Sequence, residues 1–235
     1  MTDYVLKLLR YKYYNKGKKF GKSMIIELLW ENPSLFMVWV LAVIFGITIH
    51  EFSHALFGYI LGDKTAKDRG RLTLNPLVHL DLFGFFLLLI AGFGWGKPVP
   101  FNPNNLKSRR WGPALIALAG PLSNLLAIII FGFALKLVSI YSSLGLDNLL
   151  VLFFLYLIQI NMILMVFNLL PIPPLDGSKV LFSILPASLA NFKTTLVRIG
   201  PTLILFLILF DRLFGLQIFS SVFSGIYEFV INLIF

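Results

Sequence analysis

The chain of 235 residues contains no cysteine, only three histidines and only 11 acidic residues, and charged residues of either sign make up 13% of it. Without cysteine there is no disulfide framework, no thiolate metal site and no cysteine nucleophile. The shortage of charge excludes more. Soluble domains carry about 25% charged residues, and a folded chain of this size leaves a large share of its surface in water. A sequence that is 58% hydrophobic, with 24 phenylalanines, cannot hide that surplus in one soluble core. An ordinary soluble enzyme, a disordered chain and a secreted mini-protein are excluded, and a polytopic membrane protein remains.

The charge that is present is mostly positive: 20 Lys and Arg give a net charge of +9. Lys7, Arg10, Lys12, Lys16, Lys18, Lys19 and Lys22 lie in the N-terminal tail. Lys64, Lys67, Arg69, Arg71, Lys97, Lys107, Arg109 and Arg110 lie between residues 63 and 110. A nucleic-acid binder would spread its cations over one folded face. Confinement to two segments is the pattern of membrane-flanking charge, so the expected partner is the lipid bilayer and no nucleic acid. The tail lacks the short apolar core of a cleavable signal peptide, and none is expected.

Apolar runs place spans at about Pro33 to Leu61, Pro113 to Val138, Leu149 to Leu170, Leu196 to Phe210 and Leu213 to Phe235. Asp211 and Arg212 read as a turn at a membrane surface, and counting the stretch after Asp176 would make a sixth span. Residues 83–101 behave differently. Their continuous apolar part is too short to cross, and Gly84, Gly92, Gly94, Gly96, Pro98 and Pro100 interrupt a helix. Aromatics between closely spaced turn residues predict a hairpin dipping into the bilayer from one side. The fold class is therefore an all-α polytopic membrane protein of about five to six transmembrane helices, with a re-entrant β-hairpin-like loop.

His50-Glu51-Phe52-Ser53-His54 falls inside the first span. Residues four apart share one face of a helix, so His50 and His54 can grip one zinc ion. Glu51 is then placed to take a proton from a water polarised by that ion. Each ionisable group at membrane depth costs several kcal/mol, so three within five residues require a shared purpose. A hydrolytic zinc site needs a third protein ligand, from His79, an acidic group or both. Most acids flank spans as interface charges. Asp176 differs, because Pro171, Pro173 and Pro174 end the preceding helix and Gly177 permits a tight turn, so the backbone can return a carboxylate toward the first span. His79 and Asp81 read first as hydrogen-bonding anchors at the base of the hairpin.

Three motifs in order, His50-Glu51-Phe52-Ser53-His54, Gly120-Pro121-Leu122-Ser123-Asn124 and Asn168-x-x-Pro171-x-x-x-x-Asp176-Gly177, resemble those of the site-2 proteases, zinc metalloproteases that cut peptide bonds within membranes. The tract from Gly70 to Pro100 is similar to the compact prokaryotic branch, and no segment could hold that family's PDZ or CBS modules. The resemblance covers about residues 33–185. It implies a three-helix catalytic core, one catalytic zinc ion held by His50, His54 and Asp176, and Glu51 as general base. It places Asn168 on the scissile carbonyl or its oxyanion, with Asn124 in a related substrate-binding role. Gly94, Trp95 and Gly96 would lie along an edge offered to an extended substrate. Gly120 and Pro121 fit close helix packing.

The organisation expected is a basic extension over 1–32, an intramembrane metalloprotease core over 33–185 and C-terminal transmembrane helices over 186–235. The expected substrate is a single-span transmembrane protein or a remnant signal peptide, cut in regulated intramembrane proteolysis in the cell membrane. The resemblance implies that the 63–110 loop and the Asp176 end face the cytoplasm, and the eight cations of that loop agree. The basic tail then falls on the other side, unless residues 24–40 bend back as an interfacial element. The rival readings are a catalytically silent scaffold and a metal-ion transporter. Against the transporter stands the lack of paired broken helices in two related halves.

Overall fold

The computed structural model describes residues 25–145 and 147–235, so the seven cations of the tail lie outside the described residues. Helix α1 (Ile25–Glu31) stops at Asn32, whose side-chain oxygen accepts the Leu35 N–H at 3.0 Å. Pro33 takes the first helical position, where its missing N–H costs nothing, and α2 (Pro33–Ile60) begins. Residues 33–40 thus belong to the span, and only α1 stands apart as a separate helix beside it. Past α2, Gly62 turns the chain at φ +105°. Asp63, 1% exposed, then accepts hydrogen bonds from the Thr65 N–H and hydroxyl, the Asn102 N–H and the Asn105 amide. Burial raises its pKa, but these donors together hold it below the ordinary carboxylate range. One carboxylate therefore ties the start of the 61–111 loop to its end.

Within that loop the structure corrects the expected hairpin. Residues Leu82–Ala91 form a helix, α3, capped by Asp81 through the Gly84 N–H at 2.8 Å. It closes on Gly92 in the left-handed conformation at φ +70°. Strand pairing is limited to one bridge, Leu80 to Gly96, with the Lys97 N–H donating to the His79 carbonyl at 2.8 Å. Ten residues span roughly 15 Å, so α3 is an apolar helix too short to cross a bilayer. Gly84 breaks nothing. Its absent side chain admits the Trp95 backbone, and Gly94 in turn lies against the Gly84 carbonyl. Packing outweighs a helix-propensity cost of about 1 kcal/mol, and the breaking power of glycine is used once, at Gly92.

Next come α4 (Gly112–Tyr141), α5 (Leu149–Asn168), α6 (Asp176–Ile184), α7 (Ala190–Phe214) and α8 (Ile218–Ile234). Among the described residues four segments are long and apolar enough to cross a membrane: α2, α4, α5 and 187–211. Helix α8, with 17 residues, is a shorter apolar helix, and α6, with nine, is no sixth span. Asp211 and Arg212 are helical. The turn falls instead at Gly215, φ +63°, and Asp211 Oδ1 caps α8 by accepting the Ile218 N–H at 2.7 Å.

The expected all-α membrane architecture is what the structure has. Helices α2, α4 and α5 pack against one another as a three-helix core, α6 lies along α4, and α8 leans on α4 and α5. Leu152, Leu155, Leu157, Ile158 and Met162 of α5 fill the centre. Lipid removes the hydrophobic drive between helices, so close contact must do the work. Gly46 of α2 supplies it, since a Cβ there would sit 3.0 Å from Leu164 of α5.

Candidate active site

His50 and His54 stand one turn apart on the face of α2 that meets α4, with their Nε2 atoms 3.0 Å apart. Asp176 Oδ2 lies 3.2 Å from the first and 3.0 Å from the second. All three residues are buried. The carboxylate arrives because α5 ends at Asn168 and the proline-rich turn reverses the chain before α6 begins at Asp176. Gly177 makes that reversal feasible, because a Cβ there would collide with the Leu169 carbonyl. Gly120 of α4 does the same for the rings, as its Cβ would fall 2.6 Å from both histidines.

Backbone carbonyls fix the protons. His54 Nδ1 faces the Ile116 carbonyl at 2.7 Å, which can only accept, so Nδ1 carries the hydrogen. His50 is fixed through two amides. Asn161 donates from Nδ2 to the Leu157 carbonyl at 2.7 Å, which turns its oxygen to Asn124. Asn124 Nδ2 donates to Asn161 Oδ1 at 2.8 Å, and so Asn124 Oδ1 accepts from His50 Nδ1 at 2.6 Å. In the neutral form of each ring, the form that binds metal, Nε2 is then a lone pair. Two imidazole lone pairs and a carboxylate oxygen within 3.2 Å of each other repel unless a cation joins them. Two imidazoles and one carboxylate are a ligand set of hydrolytic zinc sites, which leave a fourth position open, and held Nδ1 hydrogens are their usual support. The residues present fit zinc.

Glu51 is half-buried beside this trio, and its Oε2 accepts the Val99 N–H at 3.1 Å. The return segment after α3 therefore lies across the carboxylate. A Cβ on Gly96 would be 2.9 Å from Ile47 and 3.6 Å from Glu51 Oε1. Trp95, 43% exposed, packs its ring on Phe83 and Phe93, while Gly94 is pressed to α3. Asn168 is half-buried at the end of α5 and donates to the Leu164 carbonyl at 3.0 Å, with no hydrogen bond to the trio. Asn124 is 0% exposed, and its polar atoms are engaged with His50, Asn161 and Gly46. It supports a histidine where a substrate contact was expected. His79 stays outside the trio, its Nε2 on the Thr73 carbonyl at 2.7 Å, and with Asp81 it anchors the start of α3.

Two functional residues escaped the sequence reading. Asn161 is a fully buried amide in a span, and that intramembrane polarity was a usable signal. Arg71, 6% exposed, donates to the Pro98 carbonyl at 3.0 Å and the Lys97 carbonyl at 2.5 Å, fixing the segment whose Val99 holds Glu51. Nothing in its loop sequence marked it. Burial is the largest influence on both Arg71 and His79 and lowers both pKa values, with the Glu51 charge opposing it.

Known proteins resemble this chain in sequence. The profile of peptidase family M50 matches residues 136–209. "Putative zinc metalloprotease YwhC" of Bacillus subtilis (strain 168) is 43% identical over 184 residues, covering 75% of this chain and 81% of the relative. "Putative zinc metalloprotease Rip2" of Mycolicibacterium smegmatis is 31% identical over 61% of this chain and 55% of its own length. "Zinc metalloprotease MJ0392" of Methanocaldococcus jannaschii is 28% identical over 81% of this chain and 48% of its own. No solved structure matches the chain. A buried two-histidine, one-carboxylate cluster in a three-helix membrane core, on a chain that aligns with most of a relative at 43% identity, has one family assignment: this protein belongs to peptidase family M50.

Proposed function

We propose that this membrane metalloprotease holds its zinc ion on His50, His54 and Asp176 and uses Glu51 as general base to cleave peptide bonds of membrane-embedded substrates. One observation carries the reading: two histidine Nε2 atoms and a carboxylate oxygen converge within 3.2 Å inside the apolar three-helix core, with Glu51 alongside. Zinc, when bound, supplies Lewis acidity that polarises the carbonyl and acidifies water. Glu51 takes the proton of the attacking water and returns it to the leaving amine. The Val99 N–H holds Oε2 and leaves Oε1 to carry that proton. Asn168 uses one Nδ2 hydrogen on Leu164, and we assign the other to the scissile carbonyl oxygen.

The catalytic unit is residues 33–185, with 186–235 as accessory helices. The substrate is a single-span transmembrane protein or a remnant signal peptide, unwound locally and laid beside residues 93–96 as an extended strand. The expected role is regulated proteolysis at the cell membrane, with the site toward the cytoplasm, a side that the cations of residues 63–110 favour. The test measures zinc content and cleavage of a single-span substrate in detergent micelles for wild type, Glu51→Gln and Asp176→Asn. Glu51→Gln is expected to keep about one zinc per chain and lose at least about 100-fold in rate, and Asp176→Asn to lose zinc. Wild-type cleavage by Glu51→Gln would sink the mechanism, and metal flux into liposomes without cleavage would replace it with transport.

A further inference from the structure

A cavity of about 420 Å³ opens beside the catalytic core, where α4 starts and α6 hands over to α7. Arg109, Arg110, Lys179 and Lys193 line it together with Phe182 and Leu185. Its lining lies at the first residues of two candidate spans, α4 from Gly112 and the 187–211 segment. Lys179 is paired with Asp176 Oδ1 at 2.9 Å. The other three cations have no carboxylate within 4.0 Å among the described residues. Two of the three, Arg110 and Lys193, are nonetheless fixed. Arg110 Nε donates to the Ser183 carbonyl at 3.0 Å, and its guanidinium lies 5.6 Å over the Trp111 ring. Lys193 Nζ donates to the Phe182 and Leu185 carbonyls at 2.8 and 2.9 Å, closing the C-terminal end of α6.

Neutral carbonyls hold these side chains in place without cancelling their charge. Three uncompensated cations facing one cavity repel one another, and an anion seated between them relieves that repulsion. Apart from Ser183 the rest of the wall is apolar, from Pro113, Phe182, Leu185, Pro186 and Ala187, and Leu115 of α4 and Val197 of α7 are exposed apolar side chains of the same two helices. A site with cations at the water side and carbon toward the bilayer fits an amphiphile. Basic pockets between transmembrane helices take phospholipid headgroups for this reason. We propose that this cavity binds the phosphate of an anionic glycerophospholipid, whose glycerol and first acyl carbons lie on Phe182 and Leu185. Lys179 joins the site to the metal ligand Asp176, so the lipid sits one side chain from the catalytic centre. The assignment does not depend on the chain being active.

The full chain in neutral detergent tests it by fluorescence quenching with brominated phosphatidylglycerol and brominated phosphatidylcholine. Trp111 at the rim is the reporter, and Trp111→Phe identifies its share of the signal. Phosphatidylglycerol is expected to quench Trp111 at a mole fraction about ten-fold lower than phosphatidylcholine. Arg109→Gln and Lys193→Gln should each reduce that preference about five-fold. Arg109 makes no hydrogen bond among the described residues, so its variant stays informative if Lys193→Gln unfolds, and retained zinc reports the fold. Equal quenching by the two lipids, or an undiminished preference in Arg109→Gln, overturns the proposal. Release of the lipid by millimolar inorganic phosphate overturns it in favour of a free anion. Release by an acidic peptide overturns it in favour of a substrate contact.

Discussion

At the scale of the residue, the site is a chain of proton assignments that ends on backbone carbonyls. His50 points a lone pair inward because Asn124 accepts its Nδ1 hydrogen, and Asn124 does so because Asn161 accepts from it. Asn161→Leu removes that acceptor and leaves only the longer bond to the Gly46 carbonyl, 3.4 Å, to orient the Asn124 amide. Zinc affinity is expected to fall about ten-fold, read by chelator competition and by a changed visible spectrum of the cobalt-substituted protein, while helix content stays constant. Asp63 is a residue-scale tie of another kind. Its folded pKa lies below its unfolded value, so its contribution to stability is complete above about pH 4 and is lost as pH falls through the folded value. Asp63→Asn should melt lower than wild type at neutral pH, and that gap should narrow below pH 4 in a thermal scan.

At the scale of the element, residues 82–99 are a helix and an extended return locked by glycines. Each of Gly84 and Gly94 occupies space that a Cβ would need, so the two halves can be pressed together only with both in place. The return then carries Gly96 past Ile47 and presents the Val99 N–H to Glu51. Gly84→Ala should displace Trp95 and, through Val99, loosen Glu51. The expected outcome is a cleavage rate lowered about ten-fold or more with zinc content unchanged, since no metal ligand is touched. Loss of zinc in parallel with rate would show that the segment braces the metal site itself. Proline substituted at Phe93 should likewise slow cleavage and spare zinc, if the substrate pairs along that edge.

At the scale of the whole molecule, packing is uneven. Helices α2, α4 and α5 bury about half of their membrane windows, whereas the 187–211 span buries 11%. Leu157 of α5 is 0% exposed and Leu205 of α7 is 48% exposed. Leu157→Ala is expected to cost about 2–5 kcal/mol as a cavity in the core, and Leu205→Ala less than about 0.5 kcal/mol, in denaturant unfolding from micelles. The 187–211 segment thus leaves most of its apolar surface outside the fold while α8 packs Ile231 into the core, and helices α2, α4 and α5 carry most of the packing that holds the site rigid.

Sequence alone determined what depends on local pattern. Apolar run lengths set the spans, and four-residue spacing put His50 and His54 on one helix face, because period and length are properties of neighbouring residues. It left the third ligand open between His79 and an acid. Only the tertiary structure brings Asp176, 126 residues away from His50, to 3.2 Å, and leaves His79 on Thr73. It also made α3 a helix where glycine content predicted a hairpin, because the pressure of Trp95 on Gly84 is a long-range contact that propensity does not contain. The histidine tautomers are tertiary too. They rest on carbonyls and amides of α4 and α5 that meet α2 only in the folded core.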